Sequence, residues 1–451
     1  MEDPTISGFD YFLLPVYCLL LTFIFIQIKK RYPHNILVQK YFIKGFIVKL
    51  LGGIFFAFLV YYYYGYGDTL SYFRDSLQLR DLLSNNKISF TQIFTEDYQY
   101  FHDRFDMLGS VTESGFLVTK IGFLLTYISF SRFIIATVLM ASLCYFGMFR
   151  LFQAFVLIAP GRHRLISIFV LFFPTVVIYG SGLFKDPICI SALGWLFYAT
   201  YKMISEKKIT LLNVAIVIIS ALFIIEIKIY ILAAYIIPYF IFLIITLVKK
   251  IKSALFRAIT FPLLILIVVL TYNTFSDSID DVMGSFAVEK LSDNIKGLQN
   301  SYDNMTADDA GSNFTIGDFD PTLSGVITKM PVGIVATLYR PFIWEVRKPI
   351  ILLPALESLL MLLYTIFAFY KAGFLRFFKL LITDATVFLC IFYSLIFAGL
   401  VGLSTLNFGT LSRYRIPVIP FFLFGLMLII QKAMEHKKLQ KEHQDINAAS
   451  L

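Results

Sequence analysis

Gly180-Ser181-Gly182-Leu183-Phe184-Lys185-Asp186-Pro187 interrupts an almost continuous apolar stretch. An apolar run leads into it from Leu165 and another leaves it at Ile188. Two adjacent charges are costly in hydrocarbon, so this turn belongs at a membrane surface or in a wet cavity. Charged groups in such places are functional candidates by default. The two flanking runs decide the fold, because about 20 apolar residues suffice to cross a bilayer as a helix.

Composition extends that reading to the whole chain. Of 451 residues, 58% are hydrophobic, 17% aromatic and only 15% charged, where a soluble domain carries about 25% charge. Mean hydropathy is +0.76. Forty-nine Phe and 27 Tyr suit lipid-facing surfaces and interfacial belts, among them Tyr61–Tyr64. The net charge of +9 does not point to nucleic acid, because the basic residues sit in short loops between apolar runs. That is the positive-inside pattern. Cys18, Cys144, Cys189 and Cys390 lie in apolar segments at unrelated spacings, with neither a metal motif nor a disulfide framework. The first apolar run has Lys29-Lys30-Arg31 after it and no basic residue before it, so it reads as a retained anchor.

The expected fold is an all-α membrane protein of about eleven transmembrane helices: 10–28, 46–66, 133–157, 165–182, 188–204, 209–226, 229–248, 258–275, 350–370, 383–403 and 416–432. Residues 1–436 form a single polytopic domain, and 437–451 a short, disordered cytoplasmic tail. Residues 114–130 are apolar enough for another crossing. A crossing there would turn the clusters at Arg162, Lys207 and Lys249 outward, against the positive-inside rule. They are therefore read as an interfacial or re-entrant helix with Lys120 snorkelling. The N-terminus then lies outside and the C-terminus inside. Two long extracytoplasmic loops follow, 67–113 and 276–349, the second with a helical stretch near 286–303.

This topology gathers the polar chemistry on the outer face. Gly65 and Gly67 allow a tight exit from the second span, and Asp68 follows them as a candidate base and as the cap of a helix over 69–82. Glu113 heads the in-plane segment. Asp186 before Pro187 has the pattern of an N-cap with Pro at N1. Lys185 has no such role, since a helix start disfavours a cation, so it is expected to meet an anion. Glu226 and Lys228 read as snorkelling interfacial residues, and Asp384 as a helix cap. His102 with Asp103 and Asp106 lacks a metal-ligand spacing. Arg340-Pro341 and Trp344-Glu345 precede the ninth span. Ser412-Arg413-Tyr414-Arg415-Ile416-Pro417 leads into the last, where Pro417 favours an extended approach with splayed arginines. Guanidinium forks bind phosphate bidentately, so Lys185, Arg340, Arg413 and Arg415 form a candidate diphosphate site. The opposing reading pairs them with Asp68, Glu345 or lipid headgroups.

On these residues the chain resembles bacterial membrane glycan-assembly proteins, namely O-antigen and exopolysaccharide polymerases and the lipid-donor glycosyltransferases of the GT-C superfamily. The resemblance rests on Asp68 after an early span, Glu113, the basic turn at Lys185, the Arg340 to Glu345 segment, and Arg413 to Pro420. Asp75 is poorly spaced as a second acid of the first outer loop, and no soluble domain follows the last span, which favours the polymerase side. The resemblance implies sugar transfer from a polyprenyl phosphate or diphosphate donor in the bacterial inner membrane. Asp68 or Glu113 would act as base and the cations as donor site, with Glu345, Asp186 and Trp344 supporting. A nucleotide donor is unsuited to the outer face, and the chain has no phosphate-binding glycine loop. No cofactor is called for. The expected partners are the lipid-linked saccharide and membrane lipids. A membrane transporter or lipid-linked oligosaccharide flippase is the alternative; it predicts charges at mid-membrane and broken helices.

Overall fold

The computed structural model describes residues 6–107, 112–207, 209–248, 297, 313–317 and 322–449. The span expected at 258–275, nearly all of the helix expected near 286–303, and Asp277, Asp280 and Asp281 lie outside the described residues. Those described are almost entirely helical. In hydrocarbon a helix satisfies every backbone polar group within one segment, and apolar runs of this length take that solution. Where the sequence reads as one continuous domain, the chain packs as two compact units, Met1–Ile229 and Tyr230–Leu451.

The first unit contains α1 (Gly8–Lys30), α2 (Ile43–Phe58, flanked by widened turns over Val38–Phe42 and Leu59–Tyr64), α3 (Asp68–Ser84), α4 (Phe90–Thr95), α5 (Tyr98–Phe105) and α6 (Glu113–Ile128). It continues with α7 (Phe133–Ile158), α8 (His163–Leu171), α9 (Pro174–Tyr179), α10 (Lys185–Glu206) and the first part of α11 (Leu211–Val248). The second unit holds the rest of α11, then α12 (Leu323–Tyr339), α13 (Leu352–Ala372), α14 (Phe374–Thr383), α15 (Ala385–Ser404), α16 (Phe408–Tyr414) and α17 (Ile419–Ala449).

Among the described residues, eight helices are long and apolar enough to cross a membrane. Three differences separate them from the eleven expected. One span is outside the described residues. Residues 165–182 are two short helices, because Pro174 opens α9 and holds Phe173 in extended backbone (φ −72°, ψ 121°). The spans expected at 209–226 and 229–248 are one helical element, interrupted where Lys228 leaves helical geometry (φ −149°, ψ 75°). Pro238 also sits inside α11, without such a departure.

The expected loop 67–113 is instead a small folded layer. Leu79, Leu82, Ile93 and Phe101 from α3 to α5 share a buried core with Phe116 and Phe123 of α6. At 16 residues, α6 is about 24 Å long, shorter than the hydrocarbon core of about 30 Å. Its Lys120 donates to the Glu96 carbonyl at 3.1 Å. The second expected loop contains α12, whose sequence is apolar apart from Lys329 and a few small polar residues. The tail, expected to be disordered, continues α17 as helix to Ala449, with Lys438 and Glu442 paired at 3.7 Å. Asp384 caps α15 as expected, accepting from the amides of Thr386 and Val387 at 3.1 and 3.0 Å.

Each unit is built on one close helix pair. In the first, a Cβ on Gly147 of α7 would lie 2.1 Å from the Ser191 carbonyl oxygen of α10. In the second, a Cβ on Gly402 of α15 would lie 2.0 Å from the Gly333 carbonyl of α12. Small residues let helices approach where lipid offers no hydrophobic drive. Gly402→Leu should therefore force α12 and α15 apart and cost about 1–3 kcal/mol or more, read as a lowered thermal midpoint in detergent. Leucine at the lipid-exposed Ile366 should leave the midpoint unchanged.

Candidate functional site

The Gly180–Pro187 turn is held from four sides. Lys49 of α2, only 2% exposed, donates to the Gly180 carbonyl, and its Nζ lies 2.9 Å from Sδ of Met148. A side chain at position 180 would collide, since a Cβ there would sit 2.3 Å from the Val176 carbonyl oxygen. Thr69 Oγ1 donates to the Leu183 carbonyl at 2.8 Å. Lys185 Nζ donates to Thr112 Oγ1 at 3.1 Å and to Ser114 Oγ at 2.7 Å. Asp186 pairs with Lys228, their side chains 1% and 7% exposed.

Those contacts draw three helix starts together. Asp68 and Thr69 open α3, Glu113 opens α6 behind its Thr112 cap, and Lys185 opens α10. Each start carries a partial positive charge of roughly +0.5, so the locale favours an anion. Gly65 (φ 70°) and Gly67 (φ 133°) adopt left-handed conformations, which makes the tight exit before Asp68. Asp68 is exposed at the first position of α3, next to the cap residue Gly67. Glu113 is also exposed, and its Oε1 accepts from the Tyr98 amide at 2.7 Å. Burial raises the Tyr98 phenol above its ordinary pKa, and the carboxylates of Asp75, Glu113 and Asp103 add to that.

Three residues of the first unit stand differently from their sequence reading. Asp68, expected as the cap, is already the first residue of α3, and Gly67 is its cap. Asp186 is not the N-cap of α10. The helix starts two residues before the expected Pro187, at Lys185 behind the cap residue Phe184, and the Asp186 carboxylate joins Lys228 in the interior. Lys228 does not snorkel, because it is buried at the break in α11, while Glu226 is exposed. Asp75, set aside for its spacing, is 1% exposed. Its register on α3, with Tyr72, Ser76 and Leu79 on the buried face, is the signal that marks it as an interior acid.

The second unit carries the arginines. Arg340, at the end of α12, forms a bidentate pair with Glu345, Nε lying 3.0 and 3.1 Å from the two carboxylate oxygens. Its guanidinium stands over Phe314 and Phe408, 4.5 and 5.3 Å from the ring centroids. Glu345 also accepts from the Phe342 amide at 2.8 Å. Trp344 is 81% exposed and stacks on Phe342. The approach to the last span is not extended: Asn407 caps α16 by accepting from the Gly409 and Thr410 amides, and Arg413 lies in its last turn. Pro417 sits far enough downstream to leave that turn intact. Arg413 is half-buried with its guanidinium 5.2 Å from the Tyr414 ring.

Arg415 is 0% exposed rather than an outward fork. Its NH1 donates to Ser358 Oγ at 2.7 Å and to the Arg340 carbonyl at 3.0 Å. Its NH2 donates to the Pro354 carbonyl at 3.1 Å and lies 3.7 Å from Glu357. Arg415 thus ties α12 to α13 and positions the residue that carries the Arg340–Glu345 pair. A guanidinium with this many protein acceptors is a structural tie. Among the described residues, no group of His, Cys, Asp and Glu is arranged to hold a metal.

Comparison with described protein families, curated proteins and solved structures finds no match to this chain.

The buried pair makes a sharp prediction. Lys228→Met alone leaves a buried carboxylate without its cation and should cost about 3–5 kcal/mol. The double variant Asp186→Leu/Lys228→Met should recover most of that loss, as a double-mutant cycle of thermal unfolding in detergent would read. Additive losses would count against the pair.

Proposed function

We propose that this chain transfers or polymerises sugars on the outer side of a bacterial cytoplasmic membrane, using a polyprenyl phosphate- or diphosphate-linked donor. In this reading the N-terminus is extracytoplasmic and the C-terminus cytoplasmic. The observation that carries it is the meeting of three helix starts around Lys185, with the exposed carboxylates of Asp68 and Glu113 at two of them. Cationic dipole ends beside candidate bases suit a reaction that expels an anion as a hydroxyl loses its proton.

The acceptor hydroxyl attacks the anomeric carbon, and the bond from that carbon to the phosphate oxygen breaks. Asp68, with Glu113 second, takes the hydroxyl proton. Lys185 and the helix starts stabilise the departing phosphate or diphosphate. Within the second unit, Arg340 and Arg413 are candidate phosphate contacts in their own right, with Glu345 and Arg415 holding Arg340 in place and Trp344 exposed beside it.

A transporter or flippase is the second reading. It is favoured by the break at Lys228, the α8–α9 interruption, and the buried charges Lys49, Asp186 and Lys228.

Deleting the gene and analysing surface polysaccharide with its lipid-linked precursors separates these readings. Accumulated single repeat units indicate a polymerase and a truncated repeat a transferase. Precursors retained on the cytoplasmic side indicate a flippase. Complementation with Asp68→Asn should lower transfer about 10²–10⁴-fold, and Lys185→Met about 10²–10³-fold. An unchanged glycan in the deletion strain would rule the proposal out.

A further inference from the structure

The helix α14 joins α13 to α15, two helices long and apolar enough to cross the membrane. Gly373 turns the chain out of α13 at φ 74°, and Asp384 caps the start of α15. Ten residues between the ends of two spans place α14 at a membrane boundary.

Its faces are unequal. At about 100° per residue, Phe374, Leu375, Phe378 and Ile382 form one stripe, and all four are exposed, Leu375 at 84%. Phe377 and Leu381 form the adjoining buried stripe, Phe377 stacking on Phe369 of α13 at 3.8 Å between centroids. Arg376 and Thr383 lie on the side away from the exposed stripe, and Lys379 flanks it. A helix with one apolar face packed on protein, another bare and a cationic back lies in the bilayer interface, its bare stripe in the acyl region.

Folding also brings distant cations to this place. Arg376 lies 2.7 Å from Nδ1 of His436 in α17, and Lys437 Nζ donates to the Lys371 carbonyl at 2.9 Å. The neighbouring carboxylates are largely neutralised: Asp384 pairs with Lys432 and Glu442 with Lys438. Glu435 hydrogen-bonds Gln431. Lys371, Arg376, Lys379 and Lys437 therefore outnumber the remaining negative charge.

We infer that α14, with Lys371 and the Lys437 turn of α17, forms a binding surface for anionic phospholipid, its apolar stripe between the acyl chains and its cations on headgroup phosphates. The surface shares no residue with the site around Lys185 and does not depend on the proposed reaction. Phosphatidylglycerol satisfies both halves, whereas the phosphatidylcholine headgroup brings its own cation to the same lysines.

The test uses the full-length protein in detergent, titrated with phosphatidylglycerol or phosphatidylcholine of identical acyl chains and followed by native mass spectrometry. Phosphatidylglycerol should be retained more tightly. Lys371→Gln/Arg376→Gln/Lys379→Gln should weaken its retention about fivefold per removed charge, roughly a hundredfold together, with phosphatidylcholine unchanged. The single variant Lys379→Gln, at an exposed position, should lose about fivefold by itself and decides the matter where the triple variant unfolds. Equal retention of both lipids by the wild type, unaltered phosphatidylglycerol binding by the variants, or an equal fall for both lipids would each overturn the inference.

Discussion

The Asp186–Lys228 pair joins the first turn of α10 to the break in α11, and the architecture of the first unit follows from it. Either charge alone in that interior would be very costly, so the two must meet. Their meeting turns the start of α10 inward at one residue and leaves the preceding Lys185 to the hydroxyls at the head of α6. Lys49 anchors the same turn from α2 by donating to the Gly180 carbonyl. The candidate site is thus assembled on a scaffold of neutralised charge, and its exposed acids stand on helices that cannot drift independently.

Arg415 has the equivalent part in the second unit. It lies in an interior where a cation needs several acceptors, and it finds them in carbonyls and hydroxyls from α12 and α13. Through the Arg340 carbonyl it fixes the residue whose side chain pairs with Glu345. Close glycine contacts complete the rigidity of both units, at Gly147 with Ser191 and at Gly333 with Gly402. Where helices are surrounded by lipid, backbone approach supplies the packing that hydrophobic drive supplies in water.

Polar layers grow from this apolar base. Helices α3 to α5 cover α6 with a core of their own, and the basic segments of α13, α14 and α17 come together although about 60 residues of sequence lie between Arg376 and His436. Both features place charge beside exposed apolar surface, the arrangement expected where a protein meets lipid headgroups.

The sequence by itself determined the class of the molecule, the main apolar helices, the glycine-led exit before Asp68 and the cap at Asp384, because hydropathy and local backbone preferences are read one segment at a time. Part of the site was legible in the same way: Lys185 and Glu113 were singled out from helix-start chemistry, and their elements meet through Thr112 and Ser114. Only the tertiary structure decided which charges turn inward. Asp186 reads as a cap, Lys228 as a snorkelling residue and Arg415 as an open fork until their partners are known. Those partners are 42 residues apart in the first case and 57 to 78 residues apart for most contacts of the arginine. Asp75 was judged by its spacing alone, whereas its register with Tyr72, Ser76 and Leu79 on α3 is what points it inward. Local pattern reports what a segment prefers; desolvation, which sets the cost of each charge, is fixed by neighbours that sequence proximity does not reveal.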